Sequence, residues 1–406
     1  MRATTHPGQQ PFSLLFLAVM AVALGQTLVF ALLPLLGRAV GLKELQVGII
    51  ITASSAIYAL AARFWGRKSD TLGRRRVIII GLLGYTVGTL LFASLFYAGL
   101  EAWLRGLALW SCLIVARCTQ SMVMAGTMPA ANAYVSDITS AETRTAGIAR
   151  LGAANSTGTI IGPACGGLLA SLSLLAPLVF AAAITGICAI LIALRLPESP
   201  HHDVARTEGN SLKLRYTDRR YRLILLVAVV MLVAFSVVQQ TLAFLFQDML
   251  HLDSQHAAGK VGLALMLSAA IALLAQALLV QRLQWPPARL TFWGMVCILA
   301  GSAVLGLANS IVPLFLGVGL CGLGMGLAFP ACLAAASLAV GPLEQGALAG
   351  LTSAVPALGS IVGPVLGTGL YQIQPHLPYL CNILLLLPVL WLSWRLHKTN
   401  AALETD

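Results

Sequence analysis

The sequence predicts an all-α protein that crosses a membrane twelve times, and three observations carry that prediction. Of its 406 residues 58% are hydrophobic and only 10% charged, where a soluble domain carries roughly 25% charged residues. The charges are also clustered, leaving stretches without Lys, Arg, Asp or Glu at 3–37, 45–62, 77–100, 118–136, 223–247 and 261–281. Finally, the second half of the chain repeats motifs of the first at a fixed spacing. The composition excludes a water-soluble globular enzyme, and it excludes disorder, which requires low hydrophobicity and high charge.

A spanning helix needs about 20 apolar residues. The uncharged stretches 151–194, 290–343 and 345–394 each hold two, with turn signals inside them at Ser171 to Pro177, Asn309 to Pro313 and Gln374 to Pro378. Residues 106–133 form one span interrupted by a single ion, Arg117. The expected spans are 13–36, 45–64, 77–97, 106–130, 146–170, 175–196, 221–246, 259–281, 290–308, 312–337, 347–371 and 378–396. The first apolar stretch, about 24 residues without a short apolar region and cleavage site, reads as a retained helix and not a signal peptide.

With both termini in the cytoplasm, only Arg38, Lys43, Arg105 and Lys260 fall outside and Arg117 within the membrane, leaving 20 of the 25 Lys and Arg inside. The positive-inside rule therefore orients a multi-pass protein of the cell (inner or plasma) membrane. It also removes the nucleic-acid reading of the net charge of +11. The eight Cys lie within spans and form no Cys-x-x-Cys pair, so free apolar thiols are expected, with no disulfide framework and no metal site.

Gly158-Thr-Ile-Ile-Gly162-Pro163-Ala-Cys-Gly166 recurs 201 residues later as Gly359-Ser-Ile-Val-Gly363-Pro364-Val-Leu-Gly367, and Pro129-Ala130 recurs as Pro330-Ala331 at the same offset. Spans 1–6 thus map onto 7–12, giving an N-terminal six-helix bundle (1–196), a polar linker (197–220) carrying His201, His202, Arg206, Lys213, Arg215, Arg219 and Arg220, and a C-terminal bundle (221–406). Parallel six-helix repeats characterise transporters that rock one half against the other. No Gly-x-x-x-x-Gly-Lys-Ser/Thr motif is present, so the energy source is a gradient and not a bound nucleotide.

Between spans 2 and 3, Gly66-Arg67-Lys68-Ser69-Asp70-Thr71-Leu72-Gly73-Arg74-Arg75-Arg76 sets one acid among five bases with glycine flanking it, which allows a tight turn between helices. This loop resembles the signature of the major facilitator superfamily, Gly-x-x-x-Asp-x-x-Gly-Arg-Arg. The resemblance implies two six-helix bundles related by a pseudo-two-fold axis, with Asp70 near the N-terminus of the eleventh helix, latching the halves together. A carboxylate so placed gains about 0.3–1 kcal/mol. A simply basic, topology-determining loop is the alternative.

Arg117 near the middle of span 4 costs about 2.5–3.5 kcal/mol if unpaired. Arg117-Cys-Thr-Gln120-Ser-Met-Val resembles the family's fourth-helix signature, Arg-x-x-Gln-Gly-x-Gly, with Ser121 and Val123 in place of the glycines. Arg117 and Gln120, three apart, share a face, and the resemblance associates that Arg with proton coupling. A structural Arg bonded to neighbouring helices is the alternative. In span 5, Gly158, Gly162, Pro163, Gly166 and Gly167 make a smooth stripe for helix packing, and the segment resembles the signature of the drug:proton antiporter branch, which implies export. Where the longer family form begins with Gly, this chain has Ala149. Asp137, Glu142 and Arg144 after span 4 resemble the antiporters' charge network, in reach of Arg67 or Arg74, whereas the equivalent loop of the second half has only Glu344.

Polar residues inside spans are the substrate-binding candidates: Gln26, Tyr58, Asn155, Gln239 and Gln240, with Asn382 among further polar positions. No Asp or Glu falls near the middle of a span, which disfavours cationic substrates and suits a neutral or anionic one. The sequence reads as a secondary transporter and not an enzyme, exporting a drug-like compound or a metabolite such as a siderophore. Its implied partners are that small molecule, protons and the lipid bilayer; no cofactor is implied, and the working unit is a monomer. Proton-coupled import, and a transport-inactive sensor or assembly factor on the same scaffold, remain as alternatives.

Overall fold

The computed structural model describes residues 9–199, 215–341 and 344–403, and these residues fold into helices joined by short turns. The first half contains α1 (Gln9–Ala39), α2 (Glu44–Leu72), α3 (Arg74–Leu100), α4 (Gly106–Met124), α5 (Thr127–Ile138), α6 (Ala141–Ala170) and α7 (Ala176–Arg195). The second contains α8 (Arg222–Leu250), α9 (Ser254–Leu274), a π-helical turn (Ala275–Val280), α10 (Gln281–Leu283), α11 (Pro287–Gly306), α12 (Ile311–Leu338), α13 (Gln345–Ser353), α14 (Val355–Ile373) and α15 (Leu377–Leu403). All twelve expected spans appear in order: α4 with α5 forms the fourth, α9 to α10 the eighth, and α13 with α14 the eleventh. Ten are long and apolar enough to cross a membrane by length and composition alone. Of the other two, α6 is diluted by Glu142, Arg144, Arg150 and Asn155 in its first half, and the apolar part of α15 covers Leu377–Ser393. His201, His202, Arg206 and Lys213 of the expected linker lie outside the described residues.

Two local departures from the expected spans have clear causes. The fourth span breaks at Ala125 and Gly126 because Pro129 has no N–H to continue the ladder and its ring crowds the carbonyl four residues back. Its copy Pro330 sits inside an unbroken α12. The turn between α2 and α3 is also tighter than expected: Gly66 belongs to α2, and Gly73 alone reverses the chain, at φ 92°. That backbone geometry is open to glycine and strained for other residues. A Cβ at Gly73 would also stand 2.9 Å from the Glu198 carboxylate. Gly73→Ala is therefore expected to destabilise the protein by about 1–3 kcal/mol, read as a lower melting temperature in detergent, whereas Gly66→Ala, whose nearest neighbour is Pro129 Cβ at 3.7 Å, should melt like the parent.

Proximity groups the chain into two compact units, one of Met1–Leu42, Ala53–Ala205 and Ser254–Gly262, the other of Lys43–Thr52, Arg206–Asp253 and Leu263–Asp406. In the first, α1 packs on α6 and α7, and Leu15, Val19, Val77, Leu82, Tyr134 and Ile192 form its core. In the second, α8 packs on α14 and α15 around Tyr221, Met231, Met295, Ile298 and Leu386. Leu60, Leu107, Leu168, Leu194, Leu307 and Leu384 stay exposed, an apolar exterior suited to acyl chains and not to water.

The repeated glycines do the same work in each copy. Gly158, Gly162 and Gly166 bring α6 against the backbone of α1, and Gly359, Gly363 and Gly367 bring α14 against α8. On the other side of each helix a further glycine approaches the repeated proline: Gly262 of α9 meets the Pro163 carbonyl, and Gly48 of α2 meets the Pro364 carbonyl and the Thr368 hydroxyl. Gly167 faces the start of α9 at Ala258.

Candidate functional site

Among the described residues, the first unit contains one fully buried cation. Arg117 of α4 donates through Nη1 to Gln120 Oε1 at 2.5 Å, one turn along its own helix, and through Nη2 to Gln26 Oε1 on α1 at 2.6 Å. Gln120 then donates its amide to Thr89 Oγ1 at 2.6 Å and to the Tyr85 carbonyl at 3.2 Å on α3. The guanidinium also lies over Phe30 and Phe92, 5.5 and 5.8 Å from the ring centroids, where the negative ring faces favour a cation. No carboxylate pairs with it among the described residues, and its Nε has no acceptor. Three helices are thus tied together by one charge held on neutral dipoles. Such a site responds to any additional charge that approaches it, because nothing local compensates its own.

The loop motif of the same unit assembles around Arg74. Its guanidinium contacts Asp70 Oδ1 at 2.5 Å, Ser69 Oγ at 2.6 Å and Asp137 Oδ2 at 3.2 Å, joining α2, α3 and α5. Ser199 donates to the same Asp137 oxygen at 3.0 Å, and Glu198 accepts from the Arg75 backbone N–H at 3.0 Å. Arg75 donates to the Ala193 carbonyl near the end of α7 and Tyr134 of α5 to the Pro197 carbonyl, so the end of α7 and the segment after it are tied to α3 and α5.

The second unit has a separate clamp. Arg220 makes a two-pronged bond to Glu344, at 2.7 and 2.9 Å, and also holds Asp218 at 2.9 Å. Hydrogen bonds from Arg220 hold both carboxylates below their ordinary range, and the Gly341 N–H adds to the effect on Glu344. Acids held low in the fold contribute above their free values and lose that contribution as the pH falls through the lowered ones. Protection of the α13 amides from hydrogen exchange, corrected for intrinsic rates, should accordingly stay flat as the pH falls to about 4.3, the ordinary value of Glu, and drop below it. Glu344→Gln should show weaker protection throughout and no such step.

The sequence matches the family model described as Major Facilitator Superfamily over residues 15–364. The chain belongs to the major facilitator superfamily. Among superfamily proteins it is similar to Multidrug resistance protein 2 of Bacillus subtilis (strain 168), at 28% identity over 426 aligned positions covering 99% of each chain. It is also similar to the class C tetracycline resistance protein of Escherichia coli, at 29% identity over 80% of this chain and 79% of that one. In fold it resembles the crystal structure of a bacterial homologue of the human lysosomal transporter Spinster in an inward-facing, occupied conformation, with a TM-score of 0.76, 14% identity and coverage of 96% and 98%.

For this superfamily member the sequence-predicted residues divide clearly by position. Gln26, Arg117 and Gln120 come together. Tyr58 packs beside Tyr85 and Met124 near them, while Asn155 lies on an exposed face of α6. Gln239 and Gln240 belong to α8 in the other unit; Gln240 is buried and its Oε1 has no hydrogen-bond donor among the described residues. Asn382 donates to the Ala234 carbonyl at 2.9 Å, an interhelical bond within the second unit. In the charge network Arg74 and Asp137 meet, but Arg67 does not join them. Glu142 instead accepts from Ser140 at 2.8 Å, and Arg144 donates to the Ser136 carbonyl at 3.4 Å, both at the start of α6. Sequence reasoning does not single out Thr89, Glu198, Ser199 or the Arg220–Glu344 pair. Thr89 shares the apolar α3 with Thr86 and Ser94, so nothing local marks it, and the others depend on contacts distant in sequence.

Proposed function

We propose that this chain exports a small neutral or anionic molecule, drug-like compound or metabolite, by proton-coupled alternating access, as a monomer with both termini in the cytoplasm. The observation that carries the reading is Arg117: a buried cation on neutral partners, with no acid near the middle of any described span. A cationic substrate would meet repulsion there and no counter-ion, whereas an anionic group or a polarised carbonyl gains a charge-assisted bond. Arg does not give up its proton in proteins, so Arg117 senses occupancy and does not itself carry the coupling proton. With Gln120 it links that occupancy to α1 and α3. Asp70, Gly73, Arg74, Arg75 and Asp137 form the gate, because they join three helix ends through exchangeable charge contacts worth about 0–1 kcal/mol each, weak enough to open.

Export is supported by the Gly158–Gly167 stripe that resembles the antiporter signature, and by the resistance proteins among its relatives. Orientation is supported by 20 of 25 Lys and Arg falling on one side. Transport into everted membrane vesicles tests the reading, with anionic, neutral and cationic candidates and an imposed pH gradient. Gradient-dependent accumulation of anionic or neutral compounds is expected. Accumulation only in right-side-out vesicles would mean import, and no gradient-dependent flux for any candidate would favour a sensor.

A further inference from the structure

In the second unit a cavity of about 420 Å³ opens between α8, α11, α12 and α15, within the roughly 300–1,000 Å³ range of ligand pockets. Its lining has two chemical ends. Arg219 and Arg220 are exposed and mark the wet end. Leu223, Val227, Ala335 and Leu338 line an apolar body. Leu338 is 78% exposed, so one wall of that body opens toward the apolar exterior. The two arginines differ in their engagement. Arg220 is committed to Glu344 and Asp218, while no described residue pairs with Arg219. The described charges on this stretch, Arg215, Asp218, Arg219, Arg220 and Arg222 with Glu344, keep an excess of positive charge.

A free cation beside an apolar cavity selects an anionic amphiphile. A soluble phosphate would satisfy Arg219 and leave the apolar walls uncovered, and an uncharged chain would fill the walls and leave Arg219 without a counter-charge. We propose that this cavity is a binding site for an anionic phospholipid, with its phosphate on Arg219 and the upper part of an acyl chain along Leu223, Val227 and Ala335. The proposal rests on the topology above, which places this end in the inner leaflet, where basic residues draw anionic headgroups. The site is built from the second unit alone and uses no residue of the Arg117 cluster.

The test is native mass spectrometry of the full chain in detergent with phosphatidylglycerol, phosphatidylethanolamine or glycerol 3-phosphate added. The parent should retain phosphatidylglycerol over phosphatidylethanolamine by about fivefold, the ratio that one arginine near an anionic headgroup supplies. Arg219→Ala, at an exposed position that no described residue pairs with, should erase that preference. Ala335→Leu, which fills the apolar body and leaves the charges alone, should reduce retention of phosphatidylglycerol while the protein still runs as a folded species. An unchanged preference in Arg219→Ala overturns the proposal, as does competition by glycerol 3-phosphate equal to that of the lipid. Binding in detergent needs neither a gradient nor a direction, so failure here leaves the transport reading standing. Vesicle flux in the import direction would overturn export without altering the binding ratio.

Discussion

Arg117→Ala is expected to abolish gradient-driven transport while leaving the protein in the membrane at close to its normal level. Two magnitudes support the separation of these effects. Truncation removes a buried charge whose placement at mid-membrane costs about 2.5–3.5 kcal/mol. Against this, it orphans acceptors on Gln120 and Gln26 at roughly 1–3 kcal/mol for each buried one. Gln120 keeps its bonds to Thr89 and the Tyr85 carbonyl, and Gln26 is only half-buried, so the losses approximately offset the gain and stability should move by little. Transport has no such compensation, since the guanidinium is what joins α1 to α4. Arg117→Lys tests the geometry apart from the charge: one ammonium cannot reproduce the fork that reaches two amides at 2.5 and 2.6 Å. It should retain partial flux, reduced about tenfold, equivalent to 1.4 kcal/mol. Wild-type flux with an unchanged pH dependence in Arg117→Ala would remove Arg117 from the mechanism and leave it a packing residue.

Much of this arrangement is legible in the order of residues because of the solvent the chain occupies. A bilayer penalises charge so strongly that uncharged stretches mark spans directly, which is why the span edges agree with the helices to within a few residues at most positions. Arg117 and Gln120 are legible as neighbours because three residues is nearly one helical turn. Gln26 is visible as a polar residue in an apolar helix, but its place on Arg117 is not, because no local rule relates α1 to α4. The same limit hides Glu198 beneath Gly73 and the bond from Arg220 to Glu344 across 124 positions. Pro129 and Pro330 show the limit in another form. They are copies in sequence, yet one breaks its helix and the other does not, since packing decides whether a missing backbone bond is tolerated.

Placing a methyl group at Gly158 or Gly162 should destabilise the protein strongly. A Cβ at Gly158 would overlap the Met20 carbonyl and lie 2.8 Å from Leu24 N, and one at Gly162 would overlap the Thr27 hydroxyl and lie 2.6 Å from the Leu24 carbonyl. Overpacking costs about 1–3 kcal/mol when side chains can yield. Here the obstructing atoms are mostly α1 backbone, which moves only as a whole helix, so the cost should reach or exceed the top of that range. Gly166→Ala meets the Leu28 side chain at 3.2 Å and should be milder, and Gly152→Ala, with nothing within 4 Å, should be neutral. Thermal unfolding followed by a thiol-reactive dye can rank these variants, because buried Cys188, Cys321 and Cys332 react only when the helices part. A parental melting temperature for Gly162→Ala would refute the close α1–α6 contact. The same helix couples packing to chemistry. Leu24 and Thr27 flank Gln26, so any displacement of α1 that accommodates the methyl also draws Gln26 away from Arg117. Variants that still fold should therefore lose more transport than protein, and Gly166→Ala, next to Leu28 one turn further along, should lose little of either.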